Sequence, residues 1–245
     1  MTQTIKKFIG YSQSEVFLLK SNNKYFVRKI NNIERNLERY ERLSSLGLPV
    51  PKIFNISSNY YDMDYIPNHN IKQYLLTNSP KKLIEFLHQV IDKVSYNVAI
   101  KDYTNIYLNK LEHIDFSEFK FTKDQLISKL PKELPCSEYH GDLTLENILY
   151  NTKEKRFVLI DPITTEYDSF VFDLAKLKQD LLCNWFIRNE DVHITSKLKK
   201  ISDELNHFDY YDNNYLLILM LLRVVPYVNK EDKQFLKEEI KKLWK

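Results

Sequence analysis

The most constraining stretch of this 245-residue chain is His140-Gly141-Asp142-Leu143-Thr144-Leu145-Glu146-Asn147-Ile148-Leu149. It sets one carboxylate five residues before one carboxamide, in a short loop that runs straight into apolar residues. Two strand-like runs follow, Ile148-Leu149-Tyr150 and Phe157-Val158-Leu159-Ile160, with the polar stretch Asn151 to Arg156 between them. A strand, a turn and a strand bring the chain back on itself and deliver Asp161 beside Asn147. Hard oxygen donors gathered in this way suit magnesium. A capped turn would account for His-Gly-Asp alone, but not for Asn147 and Asp161 as well.

His-Gly-Asp-x-x-x-x-Asn followed by Leu-Ile-Asp resembles the aminoglycoside phosphotransferase and choline kinase-like superfamily. The resemblance implies an α+β, bilobal, protein kinase-like fold. A small β-rich N-lobe would span residues 1–66, and a larger, mostly helical C-lobe residues 67–245. It implies an ATP- and Mg-dependent phosphotransferase in which Asp142 orients and deprotonates an acceptor hydroxyl. His140 joins it in the catalytic loop, holding that loop by hydrogen bonding, while Asn147 and Asp161 hold the metal. Gly141 stands where protein kinases carry Arg, Thr144 where many Ser/Thr kinases carry Lys, and Pro162-Ile163 where Phe-Gly would follow the Asp. These departures favour a small-molecule kinase. Amino alcohols such as choline, sugars including surface-glycan precursors, and aminoglycosides are all acceptable acceptors.

Earlier in the chain, Val16 to Lys20 and Tyr25 to Ile30 read as a β-hairpin across an Asn-Asn turn. By resemblance Val27-Arg28-Lys29-Ile30 carries the phosphate-pairing Lys29, although a one-residue slip in register would present Arg28 instead. Gly10-Tyr11-Ser12-Gln13-Ser14-Glu15 would cover ATP phosphates through backbone N–H groups and the hydroxyls of Ser12 and Ser14. Ile33, Leu37, Tyr40, Leu43 and Leu46 recur with helical period, and Gly47, Pro49 and Pro51 end that helix. Glu38 on it is the expected partner of Lys29, with Glu34 and Glu41 one turn to either side. Asp64, Tyr65 and Ile66 would bind the adenine edge through backbone atoms.

Ile71 to Leu130 carries helical periods without a chemical motif. Phe172-Asp173-Leu174-Ala175 is similar to the family's Asp-Leu-Ala, where Asp173 either caps a helix or ties down the catalytic loop. Leu216 to Val225 is apolar nearly all round, as in a buried bundle helix. Trp185, Phe186, Tyr210 and Tyr211 with Glu190, Asp191 and Asp212 either line a pocket for a cationic acceptor or divide between core and surface.

A net charge of +3 is too small to argue for nucleic acid, and Lys197-Leu198-Lys199-Lys200 and the C-terminal lysines argue for it only weakly, since such charges are interspersed with acids elsewhere. Cys136 and Cys183 have no metal-site spacing and read as reduced thiols. No apolar run is long enough to span a bilayer. The expectation is a cytoplasmic enzyme using a nucleoside triphosphate and a small hydroxyl acceptor, with no nucleic acid, membrane or obligate protein partner. The competing expectation, drawn from the glycine-poor phosphate loop, is an inactive pseudokinase that binds nucleotide or a partner.

Overall fold

The structure, a computed structural model, describes residues 2–8, 15–31, 33–96, 99–190 and 193–245. Gly10, Ser12, Ser14 and Asp191 lie outside the described residues. The first part is a five-stranded sheet with one helix: β1 (Gln3–Phe8), β2 (Glu15–Ser21), β3 (Lys24–Ile30), α1 (Ile33–Ser45), β4 (Ile53–Phe54) and β5 (Tyr60–Asp64). Strand order is β1-β2-β3-β5-β4. The β2–β3 hairpin closes on Asn22 and Asn23, whose φ values of 48° and 59° are those a two-residue turn requires of both central residues. The register sets Lys29 against Val16 and Tyr61, and Arg28 against Phe17 and Asp62, so the two cations face opposite sides of β3.

Helix α1 ends where Gly47 takes φ 66°. Leu48 N–H donates to Leu43 O at 3.0 Å and Gly47 N–H to Ser44 O at 2.8 Å, the paired bonds that satisfy the last carbonyls of a helix. Its buried face holds Asn36 and Arg39 as well as Tyr40 and Leu43. Apolar spacing could not show that two polar residues belong to the inward stripe, because their partners come from the segment after Asp161 and from Glu138.

After residue 66 come β6 (Asn68–Asn70), α2 (Ile71–Thr77), α3 (Lys81–Val94), β7 (Ala99–Asp102), α4 (Thr104–Lys110), α5 (Lys123–Lys129) and β8 (Glu133–Cys136). Strand β7 interrupts the segment expected to be helical and pairs antiparallel with β8. Three of its four residues are exposed, so it carried no alternation to detect. The hairpin β9 (Ile148–Asn151) and β10 (Arg156–Leu159) follows, and β6 adds to the β9 edge.

Four helices complete the chain: α6 (Phe170–Leu182), α7 (Thr195–Leu205), α8 (Asn214–Val224) and α9 (Lys230–Leu243). Leu216 through Leu222 in α8 are all buried, as a helix apolar on every side must be. It packs against α6 and α9, and α6 also packs against α7. Each fully buried Leu or Ile in this layer contributes about 1.5–3 kcal/mol. That core fixes α6, which in turn bonds the loop from His140 to Asn147.

Candidate active site

The stretch from His140 to Asn147 has almost no regular structure of its own, so other elements must satisfy its backbone. Helix α6 does much of this. Ser169 caps it, its Oγ accepting from Val171 N–H at 3.2 Å, which frees Asp173 for the loop. The Asp173 carboxylate accepts from His140 N–H at 2.5 Å, Gly141 N–H at 3.0 Å and Leu143 N–H at 3.3 Å. Burial pushes this carboxyl up to about 6, while Lys176 and the three N–H groups hold it from rising further. Asp180, two turns along, accepts from Leu145 N–H at 2.7 Å, and burial pushes its carboxyl up to about 8. Between them, Lys176 donates to Asp142 Oδ1 at 2.8 Å and to the Gly141 carbonyl. Positions 173, 176 and 180 share one helix face.

Gly141 explains the absence of a side chain before Asp142. Its φ is 86°, and a Cβ there would stand 2.0 Å from the Ile163 carbonyl oxygen. Ile163 N–H in turn donates to His140 O at 3.0 Å. The catalytic loop therefore lies backbone to backbone on the segment after Asp161. His140 is fully buried, its Nε2 at 3.0 Å from Ile160 O and its Nδ1 accepting from Asp142 N–H at 3.3 Å. Burial pushes the ring down to about 4, so it is neutral and bridges loop and strand.

Asn147 donates from Nδ2 to Asp142 O at 2.8 Å and to Asp142 Oδ2 at 2.9 Å. Its Oδ1 is then the atom suited to a cation. Burial works to raise the Asp142 carboxyl, but the charge and hydrogen bond of Lys176, with His140 and Asn147, hold it below the ordinary carboxylate range. The side chain remains 45% exposed, so it can reach a ligand. Asp161 has φ 54°, a conformation few non-glycine residues adopt, and its N–H donates to the Tyr40 hydroxyl at 3.0 Å. Lys29 Nζ donates to Asp161 Oδ1 at 3.0 Å.

A cleft of about 380 Å³ opens between these groups and the first sheet. Val16, Val27, Met63 and Leu149 give it an apolar wall, Asp64 to Ile66 an edge, and Glu146, Asn147 and Asp161 a polar floor. Asp64 N–H is already spent on Lys52 O at 3.0 Å, and Ile66 O accepts from Asn68 at 2.8 Å. Lys29, 5% exposed, is the cation that reaches Asp161, whereas Arg28 makes a two-point bond to Asp62 at 2.7 and 2.8 Å on the other face.

Glu38 is corrected by the geometry. It is exposed, accepts from Thr164 Oγ1 at 2.9 Å and lies 3.5 Å from Arg39, with no bond to Lys29. Glu34 and Glu41 are exposed too. The inward positions of α1 belong to Asn36 and Tyr40, which bond Pro162 O and Asp161 N. Three of the four aromatic faces expected for a cationic acceptor are taken by the protein's own cations. Arg188 lies 3.5 Å over Trp185, Lys72 5.3 Å over Phe186 and Lys178 5.4 Å over Tyr211. Glu190 pairs with Lys72. Lys197 donates to Leu75 O and Asn78 O, and Lys199 pairs with Asp203 at 2.9 Å, so two of the three cations of that basic run already have partners.

The model of the phosphotransferase enzyme family, described under the short name APH, matches residues 4–195. The chain belongs to this family. None of the curated proteins matches this phosphotransferase. Among solved structures it is similar to a thermostable mutant of the aminoglycoside phosphotransferase APH(4)-Ia in ternary complex with ADP and hygromycin B, at TM-score 0.68 and 9% identity over 99% of this chain and 93% of that one. A protein assigned as a fructosamine-3-kinase from Haemophilus somnus 129PT gives 0.65 and 11% over 100% and 92%. Plasmodium vivax ethanolamine kinase gives 0.50 and 11% over 97% and 81%. At these identities the likeness shows the fold, and the phosphotransferase has the kinase-like arrangement of a β-rich first part and a helical second part.

Lys176 and Asp180 were missed in the sequence, although Asp-x-x-Lys-x-x-x-Asp on a largely apolar helix was there to be read. Charged residues at that spacing on a buried face must have partners.

Proposed function

We propose that this phosphotransferase moves the γ-phosphoryl group of ATP to a hydroxyl of a small polar metabolite, an amino alcohol, a sugar or surface-glycan precursor, or an aminoglycoside. The observation that carries this is that Asn147 and Asp161 line one cleft, with Asp142 bonded to Asn147 at 2.9 Å and Lys29 to Asp161 at 3.0 Å. Solved members of the fold hold ADP or AMP-PNP with hygromycin B, which supports the nucleotide half.

The acceptor hydroxyl gives its proton to Asp142 as its oxygen bonds to the γ-phosphorus, and the bond from that phosphorus to the ADP oxygen breaks. Lys29 faces the α- and β-phosphates, and His140 keeps Asp142 in place. Asp64, Tyr65 and Ile66 take the adenine edge, and Ser12 and Ser14 cover the phosphates. Asn147 Oδ1 and the Asp161 carboxylate fit magnesium, which keeps most of its shell as water and phosphate oxygens and takes few protein ligands. Among the described residues no group of three or more His, Cys, Asp or Glu side chains forms a protein cage for a metal. When bound, the ion neutralises charge on the phosphates.

On this proposal residues 1–66 cover the nucleotide, and residues 67–245 carry the catalytic loop, the metal ligands and the acceptor region. Among the described residues no helix is long and apolar enough to cross a membrane. Cys136 and Cys183 are free thiols, in keeping with the cytoplasm, where ATP is at hand. The test is ADP release from ATP and magnesium across amino alcohols, sugars and aminoglycosides. One class should raise it, and Asp142→Asn should lower it by roughly 10²–10⁴-fold. No acceptor giving more ADP than the Asp142→Asn control would end the proposal.

A further inference from the structure

The Lys176 side chain is only 12% exposed, and its ammonium meets the catalytic loop twice, at the Gly141 carbonyl and at Asp142 Oδ1. Asn147 grips the other carboxylate oxygen, Oδ2, at 2.9 Å. An ammonium carries three N–H donors, so with two engaged one remains. The direction it takes is its own: Lys178 on the same helix turns to Asn214 at 3.0 Å instead. Leu143, Thr144 and Leu145, which follow Asp142, bring no positive charge.

A hydroxyl that gives its proton to Asp142 must approach a carboxylate oxygen to about 2.6–3.2 Å. With Nζ 2.8 Å from Oδ1, a hydroxyl oxygen bound to that same Oδ1 lies within about 6 Å of the Lys176 ammonium. In-line transfer brings the phosphoryl group onto that oxygen while negative charge spreads over its three equatorial oxygens. A fixed, largely desolvated cation at that distance meets charge that develops only during the reaction.

We propose that Lys176 is a catalytic cation of the transfer centre: it holds Asp142 Oδ1 in the free enzyme, and in the loaded enzyme its remaining donor meets an oxygen of the passing phosphoryl group. This rests on the phosphoryl-transfer role given above to Asp142. Lys176 keeps its proton throughout. The bond made is acceptor oxygen to phosphorus, the bond broken is phosphorus to ADP oxygen, and the acceptor proton goes to Asp142.

The experiment uses the full chain with water as acceptor, so that no metabolite need be known. ADP release from ATP and magnesium is followed for the wild type, Lys176→Met and Lys176→Arg. Lys176→Met should lower kcat by about 100-fold with KM for ATP within about threefold, and Lys176→Arg should recover at least about a tenth of the wild-type kcat. A binding measurement runs beside it. The wild type should bind ADP with aluminium fluoride and magnesium at least about tenfold tighter than ADP with magnesium, and Lys176→Met should bind the two alike.

The proposal is overturned by a Lys176→Met kcat within about threefold of wild type, by a wild type that binds the two ADP complexes equally, or by kcat and ADP affinity falling together without rescue by Lys176→Arg. Failure of the phosphotransferase role itself looks different. It shows as a wild type that releases no ADP with water or with any acceptor, before a variant is made, and it removes this proposal too.

Discussion

The loop from His140 to Asn147 and strand β3 border one cleft, but they are held in different ways. Helix α6 bonds the loop through three polar side chains, Asp173, Lys176 and Asp180, while Gly141 lies against backbone. On the facing side Lys29 has one carboxylate partner, Asp161, and the helix expected to steady it turns its glutamates outward. The difference shows where preorganisation is needed. Groups that act on a proton must be in place before substrate arrives. On the function proposed above, Lys29 can take its final partner from the nucleotide itself.

The largest effect on this contrast should come from Asp173→Ala. It strands three buried N–H groups of the loop, so activity should fall below detection and unfolding should cost roughly 3–5 kcal/mol less in denaturant titration. A variant of near wild-type stability would show that α6 does not hold the loop. Lys29→Met should act on the other side only. We expect kcat/KM for ATP to fall about 10–100-fold with little change in melting temperature, since its partner Asp161 lines the cleft and stays solvated without it.

Asp180→Asn sharpens the comparison through pH. The Asp180 carboxyl is raised to about 8 in the fold, so its stabilising proton is fully present below the ordinary Asp range and is lost as pH rises towards 8. His140, lowered to about 4, works the other way and costs stability as pH falls from 6.5 to 4. The melting temperature of the wild type should therefore decline from pH 6.5 to 8 by a few degrees, and that decline should flatten in Asp180→Asn. An unchanged slope would remove Asp180 as its source. The smallest effect belongs to Glu38→Gln: ADP release within about twofold of wild type, because its bonds go to Thr164 and Arg39 at the surface.

Much of this was legible in local pattern. The Asn22-Asn23 turn, the end of α1 at Gly47, the β9–β10 hairpin and the burial of α8 follow from residue types whose backbone preferences or apolar spacing act within a few positions. Strand β7 was not legible, because exposed residues leave no alternation. Asp142, Asn147 and Asp161 could be placed together because a short hairpin joins them, leaving few ways to separate them.

What the sequence by itself determined is therefore the hairpin-borne cluster and the class of chemistry that its oxygens suit. Only the tertiary structure decided which charges meet. Lys176 reaches Asp142 across 34 positions, and Lys29 reaches Asp161 across 132. Glu38, two residues from the inward Asn36 and Tyr40, faces away. Such pairings depend on how packed helices are rotated about their axes, and that rotation is set by burial of the whole apolar face, including the two polar residues on α1 that no apolar period could have included.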